Sequence, residues 1–254
     1  MCFKKIAGAL RALSGSPHPK NFTSAIIAAA GLSERFGGET TKQMTMLEDA
    51  PVLVHTLRAY QQAECIHEII IVAKRNEIAT WQQLCQEYKF DKVTKIIPGG
   101  HTRQASVMNG LDEVDSKAKF VAIADGARCL TTVDQIEAVC KAAQKYKAAT
   151  AAHRSTDTVK IADDKGFIAS TADRNTVWLA QTPQVFRVKL YRAAAYTALQ
   201  KGIEATDDNS LVEFIRHPIR LVECGSQNIK ITTREDLCVA QAILQDRKAT
   251  EELL

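Results

Sequence analysis

Between Asn21 and Ala152 the chain alternates. A short apolar run rich in β-formers is followed by a longer stretch whose apolar positions recur every three to four residues. Ser24–Ala29, Glu68–Ala73, Val93–Ile97, Phe120–Ala124 and Ala148–Ala152 read as strands. Pro51–Gln62, Asn76–Tyr88, Arg103–Val114 and Val133–Tyr146 read as helices. Pro51 suits a first helical turn, where its missing N–H costs nothing, and Thr131 or Thr132 can cap the fourth helix. Strands separated by helices pair in parallel, since a parallel neighbour is reached only through a crossover. The pattern predicts an α/β, Rossmann-like domain, a mostly parallel sheet with helices on both faces. Ligands of such sheets gather at the carboxyl ends of the strands. The loops after Ala29, Ile97, Ala124 and Ala152 are therefore where chemistry is expected.

The alternation lapses after Ala152. Asp163-Asp164-Lys165-Gly166 lies between Val159–Ile161 and Phe167–Ala169 and reads as the turn of a hairpin. So polar a hairpin has little core of its own, which predicts a protruding dimerisation arm at about 153–176. Helical pattern resumes at Val188–Leu199, and Thr206 to Ser210 reads as a helix start. "IRLVEC" and "NIKIT" read as strands, and Thr233, with Asp236 in the first turn, opens a final helix. A chain of 254 residues can bury a sizeable core. The reading is one domain over 21–254 behind an extension at 1–20. Phe3, Ile6, Leu10 and Leu13 of that extension stand at helical spacing, and no acidic residue occurs before Glu34. An amphipathic helix for a membrane or partner and a targeting segment share that pattern, but the reading taken is a loosely attached extension with no role in the chemistry.

A formal net charge of +4 with no basic-aromatic stripe argues against a nucleic-acid partner and suits a small anionic substrate. No apolar stretch approaches the ~18 residues that span a bilayer, so no membrane partner is expected. The seven cysteines are scattered, with no CxxC pair, which reads as reduced thiols in the cytoplasm. No His/Cys spacing suits zinc, and no Ser-His-Asp company surrounds Ser106.

Each loop taken alone has two readings. "AAAGLSERFGGETTKQM" is neither GxGxxG nor a P-loop. Its small residues Ala29, Ala30 and Gly31 let a nucleotide approach the backbone, and Arg35 and Lys42 add two cations, which suits a triphosphate. An ordinary strand-to-helix connection with surface charges looks the same. In "PGGHTRQASVMNGL", Thr102 can cap a helix whose first turn holds Arg103 and Ser106, so either an anion or a base edge meets the exposed N–H groups, or Arg103 faces solvent. Asp125 ends an apolar strand, where an acid holds a ribose hydroxyl, a metal or a neighbouring Arg such as Arg128. Lys230 in "NIKIT" is an edge-strand lysine or a phosphate ligand at a strand end.

Together the loops stop being independent. "AAAGLSERF…TKQ", "PGGHTRQASVMNGL", "ADGAR", "DTVK", "ADRNTVWLAQTPQVF", "TDDNSLVE" and "NIKITTREDL", in this order from about Thr23 to Ala242, resemble the 2-C-methyl-D-erythritol 4-phosphate cytidylyltransferases of isoprenoid biosynthesis. The resemblance implies a nucleotidyltransferase that joins the cytidylyl group of CTP to methylerythritol phosphate and releases pyrophosphate, with Mg²⁺ or another divalent cation on the phosphates. It implies catalytic roles for Arg35, Lys42, Arg174 and Lys230. It places Ala29, Ala30, Gly31, Gly100, Arg103, Ser106, Asp125 and Gly126 on the nucleotide, with Asp125 also nearest the metal. Arg128, Thr158, Arg174, Thr182, Thr206 and Asp207 fall to the polyol phosphate. It also implies a homodimer that exchanges arms, so that Thr158 and Arg174 serve the partner's site. Ala28, Ser33, His101, Ala124, Gly126 and Cys129 depart from the family pattern. Ribitol-5-phosphate cytidylyltransferases and a non-catalytic nucleotide-binding homologue are the neighbouring alternatives.

Replacing Arg35 or Lys42 by Ala is expected to lower turnover at least ~100-fold each, the scale for removing one transition-state stabiliser. Steady-state pyrophosphate release measures it, and unchanged turnover in either variant removes that role.

Overall fold

The computed structural model describes residues 19–31, 36–37 and 41–251. Most of the N-terminal extension, and Ser33 and Arg35 of the first loop, lie outside the described residues. A seven-stranded sheet forms the centre, in the order β11-β7-β10-β6-β1-β4-β5. Its strands are β1 (Thr23–Ala28), β4 (Glu68–Ala73), β5 (Val93–Pro98), β6 (Phe120–Asp125), β7 (Ala148–Arg154), β10 (Trp178–Arg187) and β11 (Arg220–Glu223). β1 runs parallel to both β4 and β6, β4 to β5, and β7 to β11. β10 alone runs antiparallel, between β6 and β7.

The strands form where expected because β4 and β6 are buried along their whole length, and strands covered on both faces read as continuous apolar runs. Successive side chains then divide between two cores. On one face Ala25, Ile27, Ile69 and Ile71 pack under α1 (Val52–Gln62), α2 (Ile78–Glu87) and α4 (Val133–Tyr146), with Trp81 fully buried among them. On the other face Ile26, Ile70, Val72, Ile123 and Phe186 pack under α3 (Arg103–Asp112), α5 (Val188–Gln200) and α6 (Asp208–Phe214). A third cluster joins Phe36, Leu47 and Leu130 to Ile231 and to Ala240 of the last helix, α7 (Arg234–Glu251). Two short strands, β2 (Met46–Leu47) and β3 (Ala50–Pro51), pair just before α1.

The helix boundaries follow local chemistry. Thr132 closes a full capping box with Gln135, and Thr102 accepts the N–H of Ala105. Asp236 in the first turn of α7 accepts from the backbone N–H of Thr232 and Thr233. Pro51 is the N-cap of α1 and not a residue of its first turn. The second predicted helix opens as a 3-10 turn over Arg75–Glu77 before Ile78 begins the α-helix.

Two readings need correction. "NIKIT" is not a strand: residues 228–232 have no ladder partners and are held by single bonds, such as Ile231 N–H to the Ala127 carbonyl at 2.9 Å. β10 has no counterpart in the sequence reading. Its inner residues Gln181, Thr182 and Gln184 are polar yet at most 3% exposed, so the apolar pattern of a central strand is missing. The hairpin does form, from β8 (Lys160–Ala162) and β9 (Ile168–Thr171), with Asp163 accepting from the N–H groups of Lys165 and Phe167. All of Lys160–Thr171 is exposed, Phe167 and Ile168 to 69% and 67%.

Candidate active site

Neighbouring strands end at one level. Ala28 lies opposite Asp125 on one side and Val72 on the other, and Ala73 opposite Pro98. The chain runs outward from β1 to β4 and β5, then returns to the other side of β1 at β6. That reversal is the switch point where an open α/β sheet leaves a crevice. A cleft of about 670 Å³ opens there, lined by Ala30 and Gly31 after β1, by Lys42 and Gln43, by Gly100 to Arg103 and Ser106 after β5, by Asp125 and Ala127, and by Lys230 and Thr232.

The loop walls are set by close approach. A Cβ on Gly99 would meet the Ala30 Cβ at 2.3 Å and Ser106 Oγ at 2.9 Å, so only glycine lets the two loops touch. Ser106 Oγ accepts the Gly100 N–H at 3.0 Å and donates to the Thr102 carbonyl at 2.9 Å. The hydroxyl thus shapes the start of α3 and is not free to act as a nucleophile.

Asp125 is the electrostatic centre. It is 7% exposed, and among the described residues three cations meet its carboxylate. Arg103 Nε lies 3.3 Å from Oδ1, while Lys230 Nζ and Arg128 Nε lie 3.0 and 3.5 Å from Oδ2. Burial opposes the Asp125 charge, but Lys230, Arg103 and Arg128 outweigh it and hold the carboxyl far below the usual carboxylate range. Arg103 is not solvent-facing. It bridges Asp125 and Asp208, with Nη1 2.8 Å from Asp208 Oδ2. Burial pushes the Asp208 carboxyl up, against the pull of Arg103 and of the Tyr191 hydroxyl that donates to it. Arg128 donates from Nη1 to the Asn228 carbonyl at 2.6 Å, so it is partner to Asp125 and tie to the Lys230 segment at once.

The sequence-derived residues divide into those the fold gathers and those it does not. Ala30, Gly31, Lys42, Gly100, Arg103, Ser106, Asp125 and Lys230 line the cleft. Ala29 is buried, and its N–H bonds the Val72 carbonyl. Gly126 faces away, where a Cβ would meet Leu53 Cδ1 at 2.9 Å. Thr182 is buried under the cleft, its Oγ1 accepting the Asp125 N–H at 3.0 Å. Asp207 caps α6 and accepts from Gln184, and Thr206 beside it is exposed. Thr158 and Arg174 belong to the exposed arm, Arg174 bonding the Thr156 carbonyl, and they do not line the cleft of their own chain. Sequence reasoning missed Asp208 and Asn228. Both sit in quoted motifs, but nothing local marks a polar loop residue as buried.

The linkage of Asp125 has a definite sign. Its folded pKa is depressed, so it stabilises the fold above its unfolded value of about 4 and loses that contribution as pH falls towards the folded value. Asp125→Asn is expected to cost roughly 3–5 kcal/mol at neutral pH, the range for stranding buried charges. The gap to the parent protein narrows below about pH 4, where Asp125 of the unfolded parent takes up a proton while the folded carboxylate stays ionised. Denaturant unfolding at pH 7 and pH 3 measures both; a gap that does not change with pH contradicts the assignment.

The family model for 2-C-methyl-D-erythritol 4-phosphate cytidylyltransferase matches residues 23–246. A protein of that name from Desulforamulus reducens is 41% identical over 228 residues, covering 88% of this chain and 96% of that one. Another from Caldanaerobacter subterraneus subsp. tengcongensis is 42% identical over 223 residues, covering 87% and 98%. The crystal structure of 4-diphosphocytidyl-2C-methyl-D-erythritol synthase from Anaerococcus prevotii superposes with a TM-score of 0.80 at 32% identity, covering 89% of this chain and 96% of that one. The match takes in the whole sheet, the cleft loops and the Lys230 segment, and the chain belongs to the 2-C-methyl-D-erythritol 4-phosphate cytidylyltransferase family.

Proposed function

We propose that this chain transfers the cytidylyl group of CTP to 2-C-methyl-D-erythritol 4-phosphate, giving 4-diphosphocytidyl-2-C-methyl-D-erythritol and pyrophosphate for isoprenoid biosynthesis. The observation that carries this reading is the cation cluster around Asp125 at the switch point of the sheet, in a chain of this family. A substrate phosphate oxygen attacks the α-phosphorus of CTP, and the bond from that phosphorus to the β-phosphate bridging oxygen breaks. The nucleophile arrives charged, so the protein's task is to bring two polyanions together and hold them in line. Arg35 and Lys42 stabilise the charge that accumulates, and Lys230 orients the phosphates. Gly100, Arg103 and Ser106 shape the base side, and Ala30 and Gly31 let the nucleotide lie against the backbone.

Among the described residues no group of three His, Cys, Asp or Glu side chains stands ready for a metal. Among the described residues Asp125 is the one carboxylate that lines the cleft. A single carboxylate fits Mg²⁺, which is usually held by one or two carboxylates together with substrate phosphates and water, and Asp125 would be its protein ligand. Bound there, it would offset phosphate charge. The partners are then CTP and a polyol phosphate. Reduced thiols suit the cytoplasm, and the described cysteines are all free. No helix of the described residues is long and apolar enough to cross a membrane.

Pyrophosphate release is expected from CTP with methylerythritol phosphate and Mg²⁺, and not with ATP, GTP or UTP. Faster release with ribitol 5-phosphate reassigns the acceptor, and CTP binding without release from either polyol makes the chain a non-catalytic homologue.

The exposed Ile161, Phe167 and Ile168 of the arm support a homodimer in which each arm carries Thr158 and Arg174 to the other cleft. Light scattering is expected to give twice the 27.9 kDa chain mass. A monomer that retains full activity excludes arm exchange.

A further inference from the structure

The segment bearing Lys230 is not a strand, yet its ammonium group stands 3.0 Å from Asp125 Oδ2. Something other than a ladder must hold it. On one side Ile231 N–H bonds the Ala127 carbonyl, and its side chain is buried in the cluster under α7. On the other side stands Asn228, which is fully buried. Its amide nitrogen donates to the Thr182 carbonyl at 2.9 Å and to Gln181 Oε1 at 3.3 Å, both on β10. Its amide oxygen accepts the Thr131 hydroxyl at 2.8 Å, and its backbone carbonyl accepts Arg128 Nη1 at 2.6 Å, both beyond β6. The amide therefore uses both hydrogens and its oxygen, which fixes its orientation. Thr182 in turn receives the backbone N–H of Asp125. One side chain thus ties the Lys230 segment to the loop that carries Arg128 and to β10, whose Thr182 holds the backbone of Asp125.

We propose that Asn228 is a positioning residue. Its carboxamide clamps the Lys230 segment to β10 and to the loop after β6, and so sets where Lys230 and Arg128 stand relative to Asp125. It meets no reacting atom. Removing the amide leaves the Thr182 carbonyl and Gln181 Oε1 without their buried donor and the Thr131 hydroxyl with the Arg128 carbonyl alone, and the segment must shift to find replacements. A displacement of about 1 Å in charge placement is enough for a loss on the order of 100-fold in turnover.

The kinetic arm rests on the transfer reading above; the structural arm does not. In the kinetic arm, pyrophosphate release is measured for the parent, Asn228→Ala, Lys230→Ala and the double variant. Asn228→Ala is expected to lower kcat about 10- to 100-fold in protein that is folded by circular dichroism. In the Lys230→Ala background the same change is expected to cost no more than about threefold, because residues acting through one another are not additive. Losses that multiply in the double variant overturn the proposal and leave Asn228 a fold residue only. If Asn228→Ala does not fold, Thr131→Val, which removes one of the four bonds, takes its place in the cycle. In the structural arm, a ligand-free crystal structure of Asn228→Asp is expected to show Lys230 Nζ more than about 4 Å from Asp125, since the new carboxylate faces two carbonyl-type oxygens and repels them. An unchanged separation overturns the proposal. A parent protein that releases no pyrophosphate sinks the transfer reading alone, and the crystal distance still decides the clamp.

Discussion

The cleft is organised around a carboxylate that three cations share. Arginine and lysine side chains brought together near a sheet edge repel one another, and a buried cation without a partner is costly. Asp125 makes the gathering possible. It stands at the end of β6, where the strand's buried neighbours exclude water and lower the local dielectric. The same arrangement suits a polyanion. Cations held in place by one carboxylate need little reorganisation when phosphate oxygens enter, and preorganised charge of this kind acts most strongly where water is excluded.

That centre rests on a polar layer inside the sheet. Gln181, Thr182 and Gln184 of β10 are buried, and each has a defined partner. Gln184 reaches the N–H groups of Asp208 and Asn209 and so fixes the start of α6, which delivers Asp208 to Arg103. Gln181 holds His153 and the Gly225 carbonyl, and Asn228 joins both to the Lys230 segment. An apolar strand in this place would stabilise the sheet without directing any side chain. Hydrogen bonds have direction, and here the directions converge on Asp125.

Much of the fold was legible in the sequence, for a physical reason. β1, β4 and β6 are covered on both faces, so each is a run of apolar residues whose neighbours pack on opposite cores. The helices show their stripe and their caps. β10 was not legible, because its buried side chains are polar and their partners lie elsewhere in the chain. The carboxyl-end rule picks out Asp125, Arg103 and Ser106, and all three line the cleft. The family resemblance also gathered Thr182, Gly126 and Asp207; Thr182 is buried under the cleft, Gly126 faces Leu53 and Asp207 caps α6.

The sequence by itself determined the kind of sheet and the edge at which the cleft opens. These follow from the spacing of side chains close together along the chain. Only the tertiary structure decided that Arg103 bridges two acids, that "NIKIT" is a tethered loop, and that Asn228 holds it. Arg128 and Asn228 are 100 positions apart. Whether a polar side chain at such a position meets water or a buried partner depends on which segments the packing of both cores brings together, and no local pattern records that.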